Sequence, residues 1–364
     1  MTDSLSRVLK AIKPLDESAM AAVRKRQDSL TKPLGSLGRL EELSIKIAGI
    51  RGEPMPKLEH KAIVIMAADH GVVAEGVSLY PQEVSRQMVL NFLRGGAAIN
   101  VLVSQVGARV VVVDMGVIGG FPPNPGLLCK MIDFGTKNMT LGPAMSRQQA
   151  INALEAGIEV VEAEMSEGLD IVATGDMGIG NTTASSAICA AITGEPVEKV
   201  TGRGAGIGDE QLMHKVDIIK RALEINQPDS KDSIDVLAKV GGFEIGGLAG
   251  VILAAAAHRI PVVIDGFISG AAALIAAGLS PQVEDYLIAA HVSAEAGHRV
   301  LLDFLGLRPL LNLEMRLGEG SGAALGIFLV EASVNILAGM ATFNEAGVSE
   351  AEIPMEVKQS EEEG

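Results

Sequence analysis

Four short Val-, Ile- and Ala-rich runs, Ala62–Asp69, Ala108–Asp114, Asp170–Thr174 and Ile260–Asp265, each end at Asp, Gly or both and lead into a helical pattern. Apolar runs without alternation are the mark of strands buried on both faces, as in parallel sheets. Parallel neighbours need crossovers, and the helical stretches between the runs supply right-handed βαβ units. The expected fold is α/β: a three-layer α/β/α domain around a mainly parallel, Rossmann-like sheet. Ligands of such sheets sit beyond the carboxyl ends of the strands. Here those ends carry Asp69-His70-Gly71, Asp114-Met115-Gly116, Gly175-Asp176-Met177-Gly178 and Asp265-Gly266.

The chain ends read differently. Leu5–Ile12, Glu17–Leu30 and Leu37–Ile50 are helical patterns separated by Pro14 and by Lys32-Pro33-Leu34-Gly35, and helix returns from Gly322 to about Gly339. Residues 1–55 and 306–348, the latter with the Glu319 loop, are expected to form a small helical subdomain beside a 56–305 α/β domain. An acidic tail, 349–364, is expected to fray.

Composition excludes several classes. A net charge of −15 disfavours nucleic acid and anionic membranes, though it leaves room for a small anion held by local donors. The apolar runs Leu248–Ala257 and Ile268–Ala277 fall short of the ~20 residues of a spanning helix and read as core. The start, Met1-Thr2-Asp3-Ser4, lacks a signal-peptide pattern. Cys129 and Cys189 lack metal-ligand spacing and read as reduced packing residues of a cytoplasmic protein.

Several loops can carry chemistry. Arg316-Leu317-Gly318-Glu319-Gly320-Ser321-Gly322 presents one carboxylate between glycines, as a positioned base or as an incidental loop acid. Gly175 to Thr183 joins a strand to a helix of small residues. It reads as a phosphate cradle of backbone amides or as a tight turn with an Asn/Thr N-cap. It matches neither a dinucleotide fingerprint nor a P-loop. Lys215, on a helix after the Thr201–Glu210 loop, reads as a phosphate-seeking cation or a solvated lysine. Glu244 faces the site or favours a helix start. The stretch Gly76–Met88, with Tyr80 and Met88, walls a flat ring or packs a helix. The histidines match no metal motif, and no G-x-S-x-G elbow exists for a serine hydrolase, so neither metal nor cofactor is expected.

Together the loops resemble the nicotinate-nucleotide:dimethylbenzimidazole phosphoribosyltransferase family of cobalamin biosynthesis. The resemblance is carried by Leu30–Glu41, Ala67–Val72, Tyr80-Pro81-Gln82, Gly175–Thr183, Gly202-Arg203-Gly204, Val240–Ile245, Ile264–Phe267, His291–Glu295 and Arg316–Leu325. It implies transfer of the phosphoribosyl group of nicotinate mononucleotide to 5,6-dimethylbenzimidazole, giving α-ribazole 5′-phosphate and nicotinate. By motif, Glu319 is the implied base. Gly175, Asp176, Gly178, Gly180, Asn181, Thr182, Lys215, Asp265 and Ser293 are the implied nucleotide- and phosphate-binding residues. Tyr80, Met88 and Leu317 are the implied benzimidazole pocket. Position 176 is Asp where many members carry Glu, and Gly206–Glu210 departs from the commonest form. The family also implies a homodimer, in which the Lys32–Ser36 turn is expected to help close the partner's site.

The chemistry is coherent with one base. The pyridinium leaves as a neutral ring and needs no acid, while the incoming benzimidazole must shed one N–H proton. The alternatives are an N-ribosyl hydrolase or phosphorylase, and a non-catalytic nucleotide-binding protein.

Overall fold

The computed structural model describes residues 2–349 and divides into two compact units, 2–15 with 57–329 and 16–56 with 330–349. These boundaries differ from the expected 1–55 and 306–348. The first helix, Asp3–Ala11, falls with the larger unit, because Tyr286 Oη donates to the Lys13 carbonyl (2.7 Å) and Arg259 to that of Pro14. The Glu319 loop falls there too. Beyond Ser349 the expected acidic tail lies outside the described residues.

The larger unit is built on six parallel strands: β1 Lys61–Ala68, β2 Arg109–Gly116, β3 Leu127–Cys129, β4 Ile171–Met177, β5 Val262–Ile264 and β6 Leu287–Ala289. Their order is β3-β2-β1-β4-β5-β6, so the chain reverses direction across the sheet between β1 and β4. At such a switch point the crossovers diverge and leave a crevice. Every β1 residue is buried; since successive side chains point to opposite faces, both faces of the sheet are covered. The helix Phe243–Ala257 lies over the sheet, with Gly247 against Met66 and Met115. It meets the helix Arg147–Ser166 backbone to backbone: a Cβ on Gly157 would stand 1.9 Å from the Gly247 carbonyl, and one on Gly250 2.0 Å from that of Leu154.

Four strands match the expected runs within a few residues. β3 and β6 were not foreseen, because three-residue strands carry no readable period. Cys129 lies exposed on the edge strand β3, which corrects its assignment as a packing residue. Cys189 is buried as expected, and burial pushes its thiol up to about 12. The two apolar runs are buried helices of 15 and 13 residues. Ser321–Gly339, at 19 residues, is by length and composition able to cross a membrane, but half of it is buried in protein. The apolar stretch Glu83–Val106 is broken into the helices Glu83–Leu93 and Ala98–Val106.

The smaller unit packs the helices Glu17–Ser29 and Arg39–Arg51 with the end of Ser321–Gly339 through Ala19, Val23, Ala48 and Leu337. Arg26 Nε donates to the Leu337 carbonyl (2.8 Å), filling an acceptor at a helix C-terminus. In the Lys32–Ser36 turn, Lys32 is buried and pairs with Glu41 at 2.8 Å. That local ion pair gives the turn a structural use.

Candidate active site

A cleft of about 560 Å³ opens beyond the carboxyl ends of β4, β5 and β6, within the range of small-molecule sites. Its lining includes Tyr80, Met88, Asp176, Gly178, Gly180, Asn181, Thr182, Lys215, Ser293, Leu317 and Glu319 from the expected set. Gly175 and Asp265 stand behind the wall rather than in it.

The cleft wall carries cations. The glycine loop closes with Gly180 at φ +96°, a conformation glycine adopts without strain, and opens the helix Asn181–Thr193. The N-cap is this glycine, so the Asn/Thr capping alternative fails. Lys215, on the helix Asp209–Asn226, is 1 % exposed rather than solvated, and its Nζ donates to Thr182 Oγ1 at 2.8 Å. Burial lowers its pKa to about 8, against the pull of Glu295. Arg203 and Arg316 stand on the same wall; Arg316 donates to the Gly204 carbonyl (2.9 Å), and Arg203 pairs with Asp209. Ser293 is held from behind: its N–H donates to His298 Nδ1 (2.8 Å). Burial depresses His298 to about 3, so the ring is neutral with its proton on Nε2.

The cleft wall also carries buried acids. Glu319 follows Gly318 and precedes Gly320, and all three have positive φ (80°, 66° and 85°). The left-handed region is disfavoured for a residue with a Cβ, so Glu319 is held there by its surroundings. It is 3 % exposed, its Oε2 has no hydrogen-bond partner among the described residues, and burial raises its pKa to about 7. Asp176, at the end of β4, accepts from Asn181 Nδ2 (2.9 Å). Burial first, then the charges of Asp265 and Glu244, hold it well above the carboxylate range. Gly175 seats the Glu319 backbone: a Cβ there would lie 2.8 Å from the Glu319 carbonyl carbon.

Some residues fall elsewhere. Glu244 is fully buried and bonds His70 Nε2 at 2.6 Å, so it does not face the cleft. Burial opposes charge on His70, but Glu244 outweighs it and the pKa rises. Arg316, His291 and Glu295 line the cleft although only their motifs, not their roles, stood out in sequence. For Glu295 the signal was Gly202: a Cβ there would stand 2.0 Å from the Glu295 carboxylate. Among the described residues no three His, Cys, Asp or Glu side chains group as a metal site.

Comparison with known proteins agrees with this geometry. A family model described as Phosphoribosyltransferase matches residues 12–348. A relative from Desulforudis audaxviator (strain MP104C), named nicotinate-nucleotide–dimethylbenzimidazole phosphoribosyltransferase, is 63 % identical over 349 residues, covering 96 % of this chain and 99 % of its own. One of the same name from Roseiflexus sp. (strain RS-1) is 61 % identical over 345 residues, covering 95 % and 98 %. The crystal structure of CobT from Thermus thermophilus superposes with a TM-score of 0.89 at 49 % identity, over 92 % of this chain and 100 % of that one. The matches run through the glycine loop, the Lys215 helix and the Glu319 loop alike, and the chain belongs to the nicotinate-nucleotide–dimethylbenzimidazole phosphoribosyltransferase family.

Proposed function

We propose that this chain transfers the phosphoribosyl group of nicotinate mononucleotide to 5,6-dimethylbenzimidazole, yielding α-ribazole 5′-phosphate and nicotinate for the lower ligand of cobalamin. The observation that carries this reading is that one cleft is lined both by buried Lys215 with the glycine loop and by Glu319, a buried carboxylate whose Oε2 has no hydrogen-bond partner among the described residues. The phosphate sits on the amides opening Asn181–Thr193, helped by Lys215 and Ser293. The ribosyl C1 then lies toward Glu319, and Tyr80, Met88 and Leu317 flank the base. As the benzimidazole nitrogen attacks C1, the bond to the pyridinium nitrogen breaks and its electron pair leaves with nicotinate. Glu319 takes the proton from the other ring nitrogen. Holding both substrates in one cleft supplies the orientation that bimolecular attack in water lacks.

The test is incubation with nicotinate mononucleotide, with and without 5,6-dimethylbenzimidazole, read by mass. Nicotinate release that depends on the benzimidazole and matches α-ribazole phosphate formation supports the transferase. Equal release without it makes the chain a hydrolase, and ligand-induced thermal stabilisation without turnover makes it a binding protein.

Lys215→Met removes the buried cation and keeps the stem. The KM for nicotinate mononucleotide is expected to rise roughly 10–100-fold, the worth of a charge-assisted hydrogen bond, with a smaller change in kcat. An unchanged KM places the phosphate elsewhere.

The enzyme is proposed to act in the cytoplasm as a homodimer, with the segment around Leu34, 71 % exposed, reaching toward the partner's site. Light scattering decides the assembly: a mass near 37.8 kDa rules out the dimer.

A further inference from the structure

Asp265 follows β5 and is fully buried, one layer behind the cleft wall; His291, whose Nε2 lies 3.7 Å from its Oδ1, stands between. The motif resemblance places it among nucleotide-binding residues, but its carboxylate is committed elsewhere. Oδ2 accepts from the Gly320 N–H (3.2 Å) and Oδ1 from the Ala323 N–H (2.9 Å). The Gly322 N–H also donates to this carboxylate. Thr174 Oγ1 accepts the Asp265 N–H at 3.4 Å, tying the clasp to β4. These amides immediately follow Glu319 and open the helix Ser321–Gly339, whose first N–H groups have no partner within the helix.

We propose that Asp265 is the positioning residue for Glu319: its carboxylate holds the amides of the following turn and thereby fixes the left-handed backbone that aims Glu319 into the cleft. The proposal rests on Glu319 being the base. Three features converge on that backbone. Ser321 Oγ donates to the Gly318 carbonyl (2.7 Å), Gly175 packs under Glu319, and Asp265 anchors the far side. The first two act on the loop's own residues and its floor; Asp265 ties the loop to another strand end through two carboxyl oxygens that accept its amides. The groups facing it are His291 from the β6 end, and Glu319 and Asp176 from the loop and β4. Gly322 is obligatory beside it, because a Cβ would stand 2.0 Å from the His291 ring.

The test compares D265N, E319Q and D265N/E319Q by kcat and KM, with nicotinate mononucleotide binding measured by calorimetry. Asn keeps the shape but offers one acceptor oxygen and turns an NH₂ toward an amide donor. D265N is expected to lower kcat by about a hundredfold, the scale of a roughly 1 Å misplacement, with KM for nicotinate mononucleotide held within about threefold. In the E319Q background it is expected to cost less than about threefold, because both residues then act through one group. A raised KM with kcat kept returns Asp265 to direct nucleotide contact and overturns the proposal. So do equal losses in both backgrounds, or a D265N chain that fails to fold. Full activity of E319Q removes the base and the proposal with it, whereas an impaired E319Q beside an unimpaired D265N removes only the role of Asp265.

Discussion

Replacing Glu319, the proposed base, by Gln is expected to lower kcat by at least about a hundredfold, the lower bound for a positioned general base, while both substrates still bind. The amide keeps the side chain's shape and cannot accept the benzimidazole proton. The wild-type pH profile follows from the same group. As the proposed base Glu319 must be ionised to act, and burial raises its pKa to about 7, so kcat is expected to fall as pH drops below that value, with that limb lost in E319Q. Stability moves the opposite way. A carboxyl with a raised folded pKa contributes stability that is complete below its unfolded value near 4.5 and is lost as pH rises through about 7. At pH 8 the Gln variant, free of a buried and unpartnered charge, is therefore expected to melt higher than the wild type. Near-normal turnover would show that Glu319 is not the base, and a lower melting temperature at pH 8 with turnover lost would show that it holds the fold rather than the proton.

Gly157→Leu is expected to lower the melting temperature by roughly 6–12 °C, the equivalent of about 3 kcal/mol in a domain of this size. A side chain at 157 meets the Gly247 carbonyl at 1.9 Å and the Val251 nitrogen at 2.8 Å, both main-chain atoms that cannot swing aside. The helices Arg147–Ser166 and Phe243–Ala257 must separate, and the second helix lies against Met66 and Met115 of the central strands. Replacing a helix glycine gains about 1 kcal/mol of propensity, so the overlap has to outweigh it. Gly339→Ala is the control, since nothing stands within 4 Å of its Cβ position. A melting temperature for Gly157→Leu equal to the control's would show that the two helices slide apart freely.

What could be read in advance follows from where the signals reside. β1, β2, β4 and β5 announce themselves because strands buried on both faces must be apolar at every position, and each crossover has to be long enough to hold a helix. β3 and β6 do not, because three residues establish no period and their pairing depends on the strands beside them. Cys129 looked internal for the same reason: its apolar neighbours belong to an edge strand, and only the strand order exposes it.

The site divides along similar lines. Glu319 was legible because its flanking glycines are a backbone requirement written in the sequence, and the structure places all three residues at positive φ. The glycine loop was legible because a strand, a tight turn and a helix start follow one another locally. Lys215 could be marked as a candidate, but its burial depends on Thr182, 33 positions away, and on Glu295. Asp265, expected among the nucleotide-binding residues, stands behind the cleft wall with its carboxylate on the Gly320 amide, and a strand-end acid has the same local sequence whether it faces a ligand or accepts from a loop 55 residues further on. By itself, then, the sequence determined the strand–helix alternation, the glycine-bound turns and the identity of the one glycine-flanked carboxylate, all of which are set by local backbone geometry. Only the tertiary structure decided which charges are buried, which strand ends meet and which amides each buried acid accepts, because desolvation and hydrogen bonding between distant segments exist only once the chain has packed.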